Sequence, residues 1–307
     1  MAAQLHSIRG SEYGTKIALA LAAKGVDFEF HAASLSRKER GKYFPRKTED
    51  AKAAYIHVPV VRFASGDVVV ESADINSYLD EKFPDVGSPI YPNGKKEQIR
   101  ALEDRMGGKL YFGGQMLSTQ DFDYFMKGMA FAVYEALGTA GTVLKRLGPV
   151  KRAALKAIWK SKLKPRPREK LRHEGSEFVG WLDMDYESVK AEVFDEYKEM
   201  DSLLKESSTT FFFDCEGPTA ADLFLHALMR RISGDGMGYF PGCFGEPKDA
   251  FNGFPSLIEH YATMASDSWV PVNAQGHKVP YRYDSIKMVN PGDDTPLGVP
   301  INAEKCP

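Results

Sequence analysis

Val58-Pro59 and, a dozen residues later, Glu71-Ser72 are the stretches of this chain whose residue types point most directly to binding chemistry. Pro59 falls inside a strand-like run, Tyr55-Ile56-His57-Val58-Pro59-Val60-Val61, and proline has no N–H to give to a sheet ladder. It therefore belongs at an edge or a bend, the setting in which an X-Pro bond adopts the cis form, and the backbone of Val58 is left open to a ligand. Glu71-Ser72 stands where a strand hands over to a helix, and the free N–H groups and positive dipole end of a helix start hold carboxylates. An extended strand edge beside an anion-holding helix start is a site for a small acidic peptide.

The surrounding pattern predicts an α/β unit that carries both stretches. A strand over Gln4 to Ile8 is followed by a helix over Glu12 to Lys24, stopped by Gly25, and by a strand over Val26 to His31. A charged connection from Ser34 to Lys52 leads to a strand over Ile56 to Phe63, a turn at Ala64-Ser65-Gly66-Asp67, a strand over Val68 to Val70 and a helix over Ser72 to Phe83. Alternating β and α elements followed by a hairpin fit a mixed sheet with flanking helices, the thioredoxin-like arrangement. Beyond residue 84 the periodicity turns helical, with candidates near 95–115, 118–137, 142–163, 185–205, 219–232 and 255–265. The organisation predicted is an α/β domain over 1–84, a linker over 85–94, an all-helical domain over 95–270 and an extended proline-rich tail over 271–307.

With 307 residues the chain has room for about two domains. No apolar run reaches the roughly 20 residues of a membrane span, and Met1 to Gly10 lacks the charged-then-apolar order of a signal peptide, which places the protein in the cytoplasm. Cys215, Cys243 and Cys306 are widely separated, with no CxxC pair and no histidine at metal spacing, and read as buried or incidental thiols.

A third stretch, Gly217-Pro218-Thr219-Ala220-Ala221-Asp222-Leu223-Phe224, reads as a capping box ahead of an apolar helical stripe: Thr219 bonds the N–H of Asp222 while the Asp222 carboxylate reaches back. The three stretches, in this order, resemble the cytosolic glutathione transferase superfamily over roughly the first 85 residues and the helical region to about 265. The resemblance implies a thioredoxin-like domain followed by a helical bundle, with glutathione as cosubstrate, a small hydrophobic electrophile as partner, and a homodimer. It implies that Ser11 falls where zeta- and theta-like members keep a catalytic serine, that Val58 exchanges backbone hydrogen bonds with the cysteinyl part of glutathione, and that Glu71 and Ser72 hold its γ-glutamyl end. His57 corresponds to a position that often carries a polar side chain for the glycyl carboxylate.

Plainer roles stand beside these. Ser11 and Ser72 are favoured N-cap residues, and capping and catalysis coexist at Ser11. Tyr13 is the rival hydroxyl donor, or packs against the domain interface; His57 is a ligand contact or a structural histidine; His226 reads as a core residue. Tyr111, Phe112, Met116, Phe122, Tyr124, Phe125, Met129, Phe131 and Tyr134 crowd the first helices of the second domain, where the resemblance puts the electrophile pocket and periodicity alone puts ordinary core.

Residues 145–172 are the least family-like, with twelve Lys and Arg against the single acid Glu169 in a chain whose net charge is −2. Leu147, Val150, Ala154, Leu155, Ile158 and Trp159 fall near one helical face, so the segment is either a solvated helix of its own domain or a surface for an anionic membrane or an acidic partner. Nucleic acid is set aside because no binding module accompanies the charge. An alternative reading of the whole chain is thus a non-catalytic transferase-like module acting through this segment. An omega-like thiol oxidoreductase is disfavoured because residue 11 is serine with no cysteine near it.

Overall fold

A computed structural model describes residues 2–8, 10–34, 37–48, 54, 55, 57–120, 157, 184–233, 246–282, 285–289 and 296–306. The chain divides into two compact units, one made of Met1–Glu103, Glu206–Ala227 and Glu259–Pro307, the other of Asp104–Lys205 and Leu228–Ile258.

The first unit is built on a five-stranded sheet. Strand β1 (Ala3–Ser7) leads through helix α1 (Glu12–Ala23) to β2 (Phe28–Ala32), and the short helix α2 (Arg37–Arg40) precedes the hairpin of β3 (Val60–Arg62) and β4 (Val68–Val70). Helix α3 (Ser72–Lys82) follows, then α4 (Lys96–Met106). The strand order is β4-β3-β1-β2-β5, in which β5 (Met288–Val289) comes from the tail. β1 is parallel to β2 and antiparallel to β3, as a βαβ unit followed by a hairpin requires. The mixed sheet is thioredoxin-like, and outside it the described chain is mainly helical.

Helix α1 is buried along nearly its whole length because Ile17 to Ala23 carries no polar side chain. It ends in a Schellman motif: the Gly25 N–H bonds the Ala22 carbonyl at 3.0 Å, the Val26 N–H bonds that of Leu21 at 2.9 Å, and Gly25 takes the positive φ of 57° that such a stop needs. The strand expected over 56–63 is shorter than its apolar run, since pairing begins only after Pro59, while Ile56 lies outside the described residues.

In the second unit a π-helical turn (Gly107–Phe112) joins the end of α4 to α5 (Gly113–Gln120), and α6 (Tyr186–Glu206) buries Val189, Val193, Tyr197, Met200 and Leu204 on one face. Tyr197 meets Phe251 edge-on at 5.0 Å, behind the short helix α8 (Pro247–Ala250). Buried Glu196 is neutralised by Arg105 at 2.5 Å and Lys109 at 3.3 Å. Helices α7 (Ala220–Ser233) and α9 (Pro255–Ala265) contribute residues 228–233 and 255–258 to this unit, the rest of each belonging to the first. Residues 145–172, apart from 157, lie outside the described residues, as do Phe122, Tyr124, Phe125, Met129, Phe131, Tyr134 and Cys243. Among the described residues no helix is long and apolar enough to cross a membrane.

The capping box takes a form different from the one expected. The Asp222 carboxylate does reach back to the Thr219 N–H at 2.8 Å, but the Thr219 hydroxyl donates to the same oxygen at 2.7 Å. Fully buried, that carboxylate also accepts from the Phe212 N–H at 3.0 Å, while burial pushes its pKa up. His226 is buried with its ring 4.9 Å from that of Tyr261, as the core reading expects.

Candidate functional site

The sheet register brings the candidate residues to one end of the first unit. His6 of β1 lies opposite Val60 of β3, which lies opposite Val70 of β4. Ser11 follows the end of β1, Val58 precedes β3 and Glu71-Ser72 follows β4, so all three segments leave the sheet on the same side.

Ser11 is the N-cap of α1, in extended backbone, and its Oγ accepts the Gly14 N–H at 3.3 Å. An accepting hydroxyl keeps its own proton to donate, so the cap leaves a donor at the positive end of a helix dipole. Gly14 lets the first turn of α1 pack on the end of β1: a Cβ there would stand 2.1 Å from Ser7 Oγ. The Tyr13 ring lies 4.9 Å from that of Phe224.

The Val58–Pro59 peptide is cis, and among the described residues the Val58 N–H and C=O make no hydrogen bond. Glu71, exposed at the corner between β4 and α3, has a φ of 65° and ψ of 125°, a conformation disfavoured by about 1–3 kcal/mol for a residue with a Cβ. Neighbours hold it there. The Tyr55 hydroxyl donates to Glu71 Oε1 at 2.6 Å, and the Glu71 carbonyl accepts from the Asp74 and Ile75 N–H groups, opening the helix. Burial and the Glu71 carboxylate raise the pKa of Tyr55, keeping it protonated as a donor. His57 is exposed, its ring 5.5 Å from that of Tyr55.

Ser72 does not cap α3 with its side chain; Glu71 occupies the N-cap position. The Ser72 hydroxyl accepts from Lys16 Nζ at 3.4 Å, and because an ammonium only donates, the Ser72 proton stays available for a ligand carboxylate. Lys16 was not singled out from sequence. It projects from the buried helix α1 into an ion pair with Glu103, lies 5.1 Å from the Phe224 ring centroid, and Glu103 in turn accepts from Tyr91 at 2.8 Å. The signal was present: a lone lysine immediately before an uncharged helical run has to be buried, and a buried ammonium needs a partner.

Residues 5–89 match the family model for the glutathione S-transferase N-terminal domain. No curated protein matches the chain. Among solved structures the fold is similar to that of glutathione transferase GSTFuA2 from Phanerochaete chrysosporium, at a TM-score of 0.54 and 15% identity over 88% of this chain and 98% of that one. It is similar also to a glutathione S-transferase of Ceriporiopsis subvermispora solved in complex with glutathione, at a TM-score of 0.50 and 15% identity over 88% of this chain and 99% of that one. The family model thus identifies residues 5–89 as a glutathione S-transferase N-terminal domain, and over the rest of the chain the likeness is one of fold.

Proposed function

We propose that this protein is a glutathione transferase of the serine type. The backbone of Val58 pairs with the cysteinyl part of glutathione, Glu71 takes the γ-glutamyl ammonium, Ser72 donates to the γ-glutamyl carboxylate, and His57 meets the glycyl carboxylate. The observation that carries this reading is the convergence of Ser11, Val58 and Glu71-Ser72 at one end of the sheet, with the Ser72 hydroxyl backed by a buried ammonium. An anionic end and a cationic end of a small peptide thus meet complementary groups on adjacent residues.

When bound, glutathione supplies a thiol of pKa about 8.5, whose thiolate is the nucleophile for conjugation, substitution or isomerisation of an apolar electrophile. Ser11 donates its free proton toward that sulfur from the start of α1. Lowering the thiol pKa by two units takes about 2.7 kcal/mol, within the combined reach of one charge-assisted hydrogen bond and a helix dipole. We place the protein in the cytoplasm as a homodimer by the same family reading. The test is an ultraviolet titration of the thiolate in the glutathione complex: a thiol pKa clearly below that of free glutathione supports the assignment, and an unshifted one removes the catalytic role.

A further inference from the structure

We propose that the end of the tail is a working part of the glutathione site, with Asn302 as a positioning residue that holds the Glu71-Ser72 corner in its ligand-binding conformation; this rests on the reading that this corner takes the γ-glutamyl end. Strand β4 is an edge strand, and an unpaired edge is free to fray. Here the tail pairs with it. The Ile301 N–H bonds the Val68 carbonyl at 2.8 Å, and the Asn302 side-chain amide then takes both outward groups of Val70, accepting from its N–H at 3.2 Å and donating to its C=O at 2.8 Å. One primary amide replaces a whole strand residue at the position immediately before Glu71.

The same Asn302 nitrogen donates to Asp74 Oδ2 at 3.0 Å in the first turn of α3. Asn302 therefore fastens the chain on both sides of Glu71. The third anchor is indirect: Cys306 and Leu297 are buried in one apolar cluster with Tyr55, the residue whose hydroxyl holds the Glu71 carboxylate, and Val58 packs against that cluster. A residue with a Cβ keeps a positive φ only where its surroundings over-determine it, and at Glu71 much of that determination comes from residues more than 220 positions away in sequence.

The experiment uses the full chain with Asn302→Ala, Glu71→Ala and the double variant. It reads glutathione affinity by calorimetry and amide protection of the 68–78 segment by hydrogen exchange, with the unfolding midpoint as control. Asn302→Ala is expected to weaken glutathione about tenfold in a protein still folded at the assay temperature, the scale of one or two hydrogen bonds. In the Glu71→Ala background the same change should add less than about twofold, because Asn302 acts through Glu71. Protection at Val70, Asp74 and Ile75 should fall while that of β1 and α1 stays. Affinity within twofold of wild type, or losses that add in the double variant, would overturn the proposal. Should wild type bind no glutathione, the functional reading fails instead, and exchange still decides whether Asn302 holds the corner: unchanged protection at Val70, Asp74 and Ile75 overturns it.

Discussion

Replacing Lys16 by Met separates what the buried ion pair does for stability from what it does for the ligand. The Lys16 and Glu103 side chains are only 3% and 7% exposed, so deleting one partner leaves the other charge in a low dielectric, at a cost of about 3–5 kcal/mol. Tyr91 remains on Glu103 and moderates the loss, which places Lys16→Met near the lower end of that range. Glu103→Leu leaves the ammonium, among the described residues, with Ser72 and the Phe224 ring alone and should cost at least as much. The double variant replaces the pair by apolar groups of similar volume and should return to within about 1 kcal/mol of wild type, because desolvation of the pair offsets most of its attraction. Urea unfolding of the four proteins measures this coupling. Glutathione affinity should not recover in the double variant: Ser72 still lacks its partner, and a hydrogen bond at 3.4 Å is worth no more than about 0.5–1.5 kcal/mol, up to tenfold in affinity. Additive stability losses would refute the buried-pair argument, and full affinity in the double variant would refute the role given to Lys16 at Ser72.

Ser11→Ala should raise the thiol pKa of bound glutathione by about one to two units, roughly 1.4–2.7 kcal/mol, with activity falling at neutral pH and partly recovering in alkali. The lost cap should cost about 0.5–2 kcal/mol in thermal unfolding, and a variant that loses stability alone would leave Ser11 a cap. Glu71→Ala should weaken glutathione by about 1.5–3 kcal/mol, and an unchanged dissociation constant in a folded variant would remove Glu71 from the site. If residues 145–172 read anionic surfaces, the protein should bind vesicles of acidic lipid in low salt and release them as the ionic strength passes that giving a screening length of about 8 Å. No binding in low salt would return the segment to a solvated helix.

Local chemistry accounts for the parts of this fold that were legible in the sequence. Gly25 after an uncharged helical run signals a helix stop, and Pro59 within an apolar run signals an edge. The alternation of elements to residue 83 then leaves few topologies. Long-range pairing accounts for what was not. Nothing local in Ser285 to Val289 marks a strand, because β5 is two residues long and is held by β2, with the Phe30 N–H on the Lys287 carbonyl at 2.9 Å and an ion pair from Lys287 to Glu29 at 2.5 Å. Asn302 in a proline-rich tail likewise has no periodicity to betray its contact with β4. The positive φ of Glu71 was invisible for a different reason: glutamate is not a residue that favours it, and the conformation is imposed by its neighbours. At Ser72 the capping reading was natural, yet the cap position belongs to Glu71.

The most direct measurement of the central claim is titration calorimetry of the full chain with reduced glutathione. The account predicts saturable binding at one site per chain, weakened in both Glu71→Ala and Ser72→Ala while each variant unfolds at a midpoint well above the assay temperature. Absence of saturable binding by the wild-type chain, or affinity indifferent to both substitutions, would contradict it.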